Sequence, residues 1–252
     1  MNIYEKISSS DKKIAVLIDP DKLGESATKA IASKCVEAGV DLLFVGGSLL
    51  TNDGLEACIR TLKENCGIPV LIFPGDPTQI SPLCDAFLLL SVISGRNAEM
   101  LIGRHVVAAP RLKSCCKEII PTGYILIDGG CPTSVSYMSG TIPIPHDKDD
   151  IAVCTAIAGE MLGLKMMYLE AGSGAAKTVS ESMITKVKRN IGVPLAVGGG
   201  ITSPEKAYAL AAAGADIIVV GTAFEKNADI KAFADAVHRN NTLEVGSINS
   251  PK

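Results

Sequence analysis

Apolar residues recur along this chain in short, nearly unbroken runs. They fall at 14–19, 41–46, 70–73, 86–90, 124–128, 166–170, 194–197 and 217–220, and are rich in Val, Ile and Leu. Continuous apolarity over so short a length predicts parallel strands buried on both faces. Between most of the runs lie helix-length segments with one wet face. In the segment 25–37, Ala27, Ala30, Ile31 and Cys35 recur at helical spacing. The segment 203–213 opens on Ser203 as an N-cap with Pro204 at the first helical position, and Gly214 closes it.

Strand and helix signals that alternate eight times predict a single modified (β/α)8 TIM barrel over 1–240. A doubly wound open sheet would carry its dominant glycine turn after the first strand. Here the first strand runs into Asp19-Pro20-Asp21-Lys22, and the glycines come late. Pro74, Pro77 and Pro82 crowd the connection 73–85, so the third helix is expected to be missing or reduced. The connection 129–149 is long enough to be a lid or binding loop. Residues 1–10 are expected to form a short helix that plugs the barrel or packs at an interface. Residues 241–252 read as a flexible polar tail.

Composition narrows the function classes. Hydrophobic residues make up 47 % of the 252, enough to exclude a mainly disordered chain. Formal net charge is −3 without a dense Lys/Arg run, which argues against nucleic acid as a partner. The start, Met-Asn-Ile-Tyr-Glu-Lys-Ile, lacks a signal-peptide core, and no apolar run is long enough for stable membrane insertion. A cytoplasmic protein is expected. The eight cysteines contain no C-x-x-C pair and are expected to be free thiols. His105, His146 and His238 are too scattered for a zinc site, and His146 reads as a solvated loop residue.

The candidate chemistry lies at strand ends. Three glycine turns follow apolar runs: Tyr168-Leu169-Glu170-Ala171-Gly172-Ser173-Gly174, Val197-Gly198-Gly199-Gly200-Ile201 and Val219-Val220-Gly221-Thr222. Glycine lets backbone N–H groups approach an anion, and a helix N-terminus adds unpaired donors. Three such turns after successive strands suggest one phosphate held mostly by backbone. Asp19 offers a magnesium ligand, with Asp21 as the second candidate or a helix cap. Gly46-Gly47-Ser48 closes strand 2 and adds a hydroxyl. Lys22 meets a phosphate or is solvated. Glu170 is a general base or one half of an ion pair with Lys22 or Lys177. Asp128 holds a loop or lines the site.

In order, Asp-Pro-Asp-Lys, Val-Gly-Gly-Ser, Tyr-Leu-Glu-Ala-Gly-Ser-Gly, Gly-Gly-Gly-Ile and Val-Gly-Thr resemble the geranylgeranylglyceryl phosphate synthase family, related to heptaprenylglyceryl phosphate synthase. The forms are closest to its archaeal and Bacteroidetes-like branch. The resemblance spans nearly the whole chain and includes the proline-rich replacement of the third helix. It implies a magnesium-dependent prenyltransferase that joins a polyprenyl diphosphate to sn-glycerol 1-phosphate and releases diphosphate. It further implies that Tyr168, Leu169, Glu170, Ala171, Gly172, Ser173 and Gly174 hold glycerol phosphate. Gly199, Gly200, Gly221 and Thr222 would bind its phosphate, Asp19 and Ser48 would correspond to the Mg2+ site, and Glu170 would receive the hydroxyl proton. Many relatives carry Asn at the position of Thr222, where a backbone N–H still serves. The branch favours geranylgeranyl diphosphate as donor, and the family tends toward homo-oligomers. The thinned wall near 73–83, with Leu49, Leu50, Val92 and Ile93, is the expected place for the prenyl tail. The rivals are a phosphosugar isomerase or epimerase on the same barrel and a non-catalytic phosphate sensor.

Overall fold

A computed structural model of the chain describes residues 2–76, 79–225 and 228–247, without the side chains of 225 and 242–247. Its strands close into one all-parallel barrel in sequence order: β1 (Lys13–Ile18), β2 (Leu42–Val45), β3 (Val70–Ile72), β4 (Ala86–Val92), β5 (Ile119–Leu126), β6 (Met166–Glu170), β7 (Leu195–Gly198) and β8 (Ile217–Val220), with β8 paired back onto β1. Side chains alternate between two cores, as the two-residue period of a strand requires. On β6, Met166 and Tyr168 fill the barrel with Phe44, Phe73 and Tyr124, while Met167 and Leu169 face the helix layer. Full burial of one such side chain stabilises the fold by about 1.5–3 kcal/mol.

The outer layer holds α2 (Glu25–Ala38), α3 (Leu55–Asn65), α4 (Arg104–Cys115), α6 (Asp149–Met161), α7 (Glu181–Asn190), α8 (Pro204–Ala212) and α10 (Ile230–Ser247). Ser203 caps α8 by accepting the Lys206 N–H at 3.3 Å. Among the described residues no helix joins β3 to β4. The segment there is held by side chains instead: Gln79 accepts the Gly75 N–H at 2.9 Å and donates to the Gly47 carbonyl at 3.2 Å.

The short first helix, α1 (Ile3–Ser8), is fixed by an Asn2–Glu5 capping box and plugs the N-terminal end of the barrel. Its Ile7 is buried in the interior core. The Ile3 and Tyr4 N–H groups donate to the Glu118 carboxylate at 2.7 and 2.8 Å.

Three boundaries differ from the sequence reading. β5 begins at Ile119, ahead of the apolar run, because Phe87 to Val92 pair in register with Ile119 to Tyr124 despite Pro121 and Gly123. The connection 129–149 holds a further helix, α5 (Ser134–Ser139), which starts from a Thr133–Ser136 capping box and ends at Gly140. The expected tail boundary falls inside α10: Asn241 exchanges two hydrogen bonds with the Lys12 backbone, and Asn240 donates to the Ala236 and Val237 carbonyls. Residues 248–252 lie outside the described residues. No helix among the described residues is long and apolar enough to cross a membrane.

Candidate active site

At the C-terminal mouth of the barrel, where the strands end, is a cavity of about 360 Å³. Chemistry collects at this face because each strand there hands over to a loop that is free to vary. Asp19, Lys22, Ser48, Tyr168, Glu170, Ser173, Gly174, Gly199, Gly200, Gly221 and Thr222 all line the cavity. Leu169, Ala171 and Gly172 do not: the first two pack in the helix-facing core, as their place in the alternation dictates, and Gly172 turns its N–H to Glu170.

Glu170 ends β6 on the inward register and is only 6 % exposed. Its Oε1 accepts the Gly172 N–H at 2.6 Å. Burial pushes its carboxyl up to about 7; the Gly172 N–H pulls the other way, and the nearby Tyr168 hydroxyl does so too. That hydroxyl is fully buried and has no hydrogen-bond partner of good geometry among the described residues. Burial, and after it the Glu170 charge, holds the Tyr168 and Tyr124 phenols well above their ordinary value. Glu170 forms no ion pair among the described residues, so the structural alternative for it has no partner. A buried carboxyl that titrates near neutrality, beside an orphaned hydroxyl, suits proton transfer to or from a bound hydroxyl group.

The second turn is shaped around this carboxylate. Gly199 has φ +86°, and a Cβ there would lie 2.5 Å from Glu170 Oε1 and 2.5 Å from the Gly172 nitrogen. Only glycine fits so close an approach. Across the cavity the Ser173 and Thr222 hydroxyls meet at 3.0 Å and bring the first and third turns together. Thr222 opens the short helix α9 (Thr222–Glu225).

The rim after β1 and β2 carries Asp19 and Lys22, whose Oδ2 and Nζ are 3.4 Å apart, with Gly47 and Ser48 alongside. Asp21 stands outside the cavity. Its carboxylate is taken up by Thr51 and Asn52, and the Thr51 N–H above all holds it below the usual carboxylate range. Asp128 is exposed and accepts the Gly130 N–H at 2.9 Å, which assigns it to the turn. His146 is bound to the Thr178 carbonyl at 3.0 Å and is part-buried, not solvated. Among the described residues no three His, Cys, Asp or Glu side chains form a metal cage. Asp19 and Ser48 still offer hard oxygen ligands that fit a magnesium ion completed by water and substrate phosphate.

A second cavity, about 290 Å³, opens beside the first, next to the connection between β3 and β4. Leu49, Leu50, Phe73 and Val92 line it as the sequence suggests, and Met100, Ala108, Val135 and Met138 join them. Ile93 and Leu83 pack elsewhere, against the outer core. Arg104 and Asp76 pair across its edge at 2.8 Å. Ser48, Leu49, Phe73, Tyr124 and Val135 line both cavities. The ring centroids of Phe73 and Tyr124 both lie close to Tyr168, at 5.3 Å each. Sequence reasoning missed Tyr124, because nothing in an apolar run marks which aromatic reaches the mouth.

Comparison with known proteins agrees with this geometry. The model of the PcrB family matches residues 8–238. A geranylgeranylglyceryl phosphate synthase of Chitinophaga pinensis is 57 % identical over 90 % of this chain and 90 % of its own length. That of Thermococcus kodakarensis is 41 % identical over 91 % of this chain and 90 % of its own. The crystal structure of (S)-3-O-geranylgeranylglyceryl phosphate synthase from Thermoplasma acidophilum, in complex with substrate sn-glycerol-1-phosphate, superposes with a TM-score of 0.90. It covers 95 % of this chain and 99 % of that one at 32 % identity. With a family match over most of its length and relatives this similar across the same span, the chain belongs to the PcrB family, alongside these geranylgeranylglyceryl phosphate synthases.

Proposed function

We propose that this protein is a prenyltransferase that joins a polyprenyl diphosphate, with geranylgeranyl diphosphate as donor, to the primary hydroxyl of sn-glycerol 1-phosphate. The reading rests on one observation above all: a cavity that gathers Asp19, Lys22, Glu170 and the late glycines adjoins a groove lined by Leu50, Met100 and Met138, and the two share Ser48, Phe73 and Tyr124. The first suits a compact anion and the second a hydrocarbon tail.

Backbone N–H groups of Gly199, Gly200, Gly221 and Thr222 seat the glycerol phosphate, and Ser173 closes over it. Glu170, ionised above its raised value, aligns the attacking hydroxyl and takes its proton. Asp19 and Ser48 would hold magnesium, which would supply positive charge to offset that growing on the diphosphate. Lys22 adds to that field on the same rim. The hydroxyl oxygen forms the new ether bond as the old C–O bond breaks, and its electron pair leaves with the diphosphate. Phe73 and Tyr124 stand between the cavities, where an aromatic face favours positive charge developing on the allylic carbon. Holding both reactants at one junction lowers the entropic part of the barrier.

The test is incubation with sn-glycerol 1-phosphate, magnesium and radiolabelled prenyl diphosphates of several lengths. A labelled prenylglyceryl phosphate ether is expected, most abundant from the geranylgeranyl donor. No ether from any donor would leave the phosphosugar isomerase reading, which has no use for the groove. Self-association is part of the proposal: on α6, Met161 and Leu162 are 83 % and 79 % exposed, an apolar edge suited to burial against another copy. Light scattering is expected to give a mass above that of one chain, and a monomer would remove this part.

A further inference from the structure

Asp21 lies in the loop after β1 and lines neither cavity. Its Oδ2 accepts the Thr51 N–H at 2.5 Å and the Thr51 hydroxyl at 2.9 Å, and its Oδ1 accepts the Asn52 N–H at 3.3 Å. Its own N–H donates to Asp19 Oδ1 at 3.1 Å. The ladder bond from the Gly46 N–H to the Ile18 carbonyl, 3.0 Å, marks where β1 and β2 leave the sheet. Beyond that point Asp21 ties the two loops together again. One of those loops carries Asp19 and Lys22; the other carries Gly47 and Ser48. Gly47 packs so near Asp19 that a Cβ there would lie 3.6 Å from its carboxylate.

The two halves of this contact act on the same thing. The backbone bond fixes one oxygen of Asp19 and leaves Oδ2 toward Lys22. The carboxylate bonds set how far the Ser48 loop stands from it. We infer that Asp21 is a positioning residue that sets the spacing of Asp19 and Ser48, and through it the affinity for magnesium-bound diphosphate. The inference rests on the proposed prenyltransferase reading, because it takes Asp19 and Ser48 as the diphosphate side of the site. Asp21 touches no substrate in this account. Displacement of a positioned group by an ångström costs on the order of a hundredfold in rate.

The test compares the full-length protein with Asp21→Ala and Asp21→Asn. Calorimetry measures binding of inorganic diphosphate with magnesium and, separately, of sn-glycerol 1-phosphate. Amide hydrogen exchange is followed at Thr51 and Asn52. Asp21→Ala is expected to weaken magnesium-diphosphate binding by about tenfold, to leave glycerol phosphate within about twofold, and to speed exchange at both amides. Asp21→Asn keeps one acceptor for those N–H groups and is expected to recover much of the loss. Unchanged exchange at Thr51, unchanged diphosphate affinity, or an equal loss for both substrates would overturn the inference. An Asn variant as impaired as the Ala variant would overturn it too, since the charge itself would then be the requirement. If Asp21→Ala does not fold, Thr51→Val removes only the hydroxyl donor and is expected to weaken diphosphate binding about twofold, with no change contradicting the inference. Wild-type protein that binds no magnesium-diphosphate would sink the proposed function, and the Thr51 exchange rates would then decide the clamp alone.

Discussion

The two sides of the barrel mouth are built on opposite principles. From β6 to β8 the turns are rich in glycine, and Gly174, Gly199, Gly200 and Gly221 line the cavity beside a buried carboxylate. Between β3 and β4 no helix occurs among the described residues, and the gap is lined by Leu49, Leu50, Phe73, Met100 and Met138. In the proposed reading the first side recognises an anion by close approach, which side chains would obstruct. The second would take a hydrocarbon beside a connection without a helix among the described residues. One fold would thus serve two binding chemistries by adding nothing on one side and leaving out a helix on the other.

The largest expected effect breaks the first side. Glu170→Gln keeps an acceptor for the Gly172 N–H but loses the base, so turnover is expected to fall by about 10² to 10⁴ while glycerol phosphate affinity changes little. For the wild type, the acid limb of kcat/KM is expected near pH 7, where Glu170 ionises. Stability is expected to move the other way. The folded chain keeps this carboxyl protonated up to about 7, against an ordinary value of 4.5, so it binds more protons than the unfolded chain between those values. Wild-type stability therefore falls as pH rises from about 4.5 to about 7, and Glu170→Gln is expected to gain roughly 3 kcal/mol above that window and nothing below it. Denaturant midpoints at pH 4 and pH 8 check this. A variant that is inactive and no more stable at pH 8 would mean that burial costs the carboxylate little.

Gly200→Leu separates the anion cradle from the groove. Its φ of +69° disfavours any other residue, and a Cβ would come within 3.0 Å of the Lys177 carbonyl. Glycerol phosphate binding is expected to weaken by about tenfold or more, near 1.4 kcal/mol, with prenyl diphosphate binding spared. Unchanged affinity by calorimetry would mean the late turns do not hold phosphate. Met100→Trp is the reciprocal change. It fills part of the groove and is expected to shift donor preference toward shorter chains by several-fold, with the KM for glycerol phosphate unaltered. A donor profile identical to wild type would place the tail elsewhere.

The smallest effect is a control remote from both sides. His238 donates its Nε2–H to Asp41 Oδ2 at 2.8 Å, and that hydrogen bond raises its pKa. The stabilisation is full below an ordinary histidine value and fades as pH rises through the raised one. His238→Asn is expected to cost less than about 1 kcal/mol at pH 5.5, still less at pH 9, and nothing in turnover.

Legibility in the sequence divides along the same line as the chemistry. The eight strands are readable because burial on both faces leaves unbroken apolar runs, and the absent helix is readable because Pro74, Pro77 and Pro82 cannot continue one. The glycine turns are readable because a close approach demands glycine. The groove is only half readable: Met100, Ala108 and Met138 come from elements distant in sequence, and their apolarity is indistinguishable from that of core residues. α5 escapes notice because six residues leave almost no periodicity, although Thr133 and Gly140 mark its ends. The role of Asp21 is also invisible, since its partners lie thirty residues away in the next loop.

The most direct measurement is a crystal structure with sn-glycerol 1-phosphate, magnesium and a non-reactive thio analogue of geranylgeranyl diphosphate. The predicted result has the glycerol phosphate anion on the amides of Gly200, Gly221 and Thr222, its hydroxyl at Glu170, and the hydrocarbon lying between β3 and β4 past Phe73. A hydrocarbon tail lying outside that gap, or a phosphate seated away from the β6–β8 turns, would contradict the division of labour.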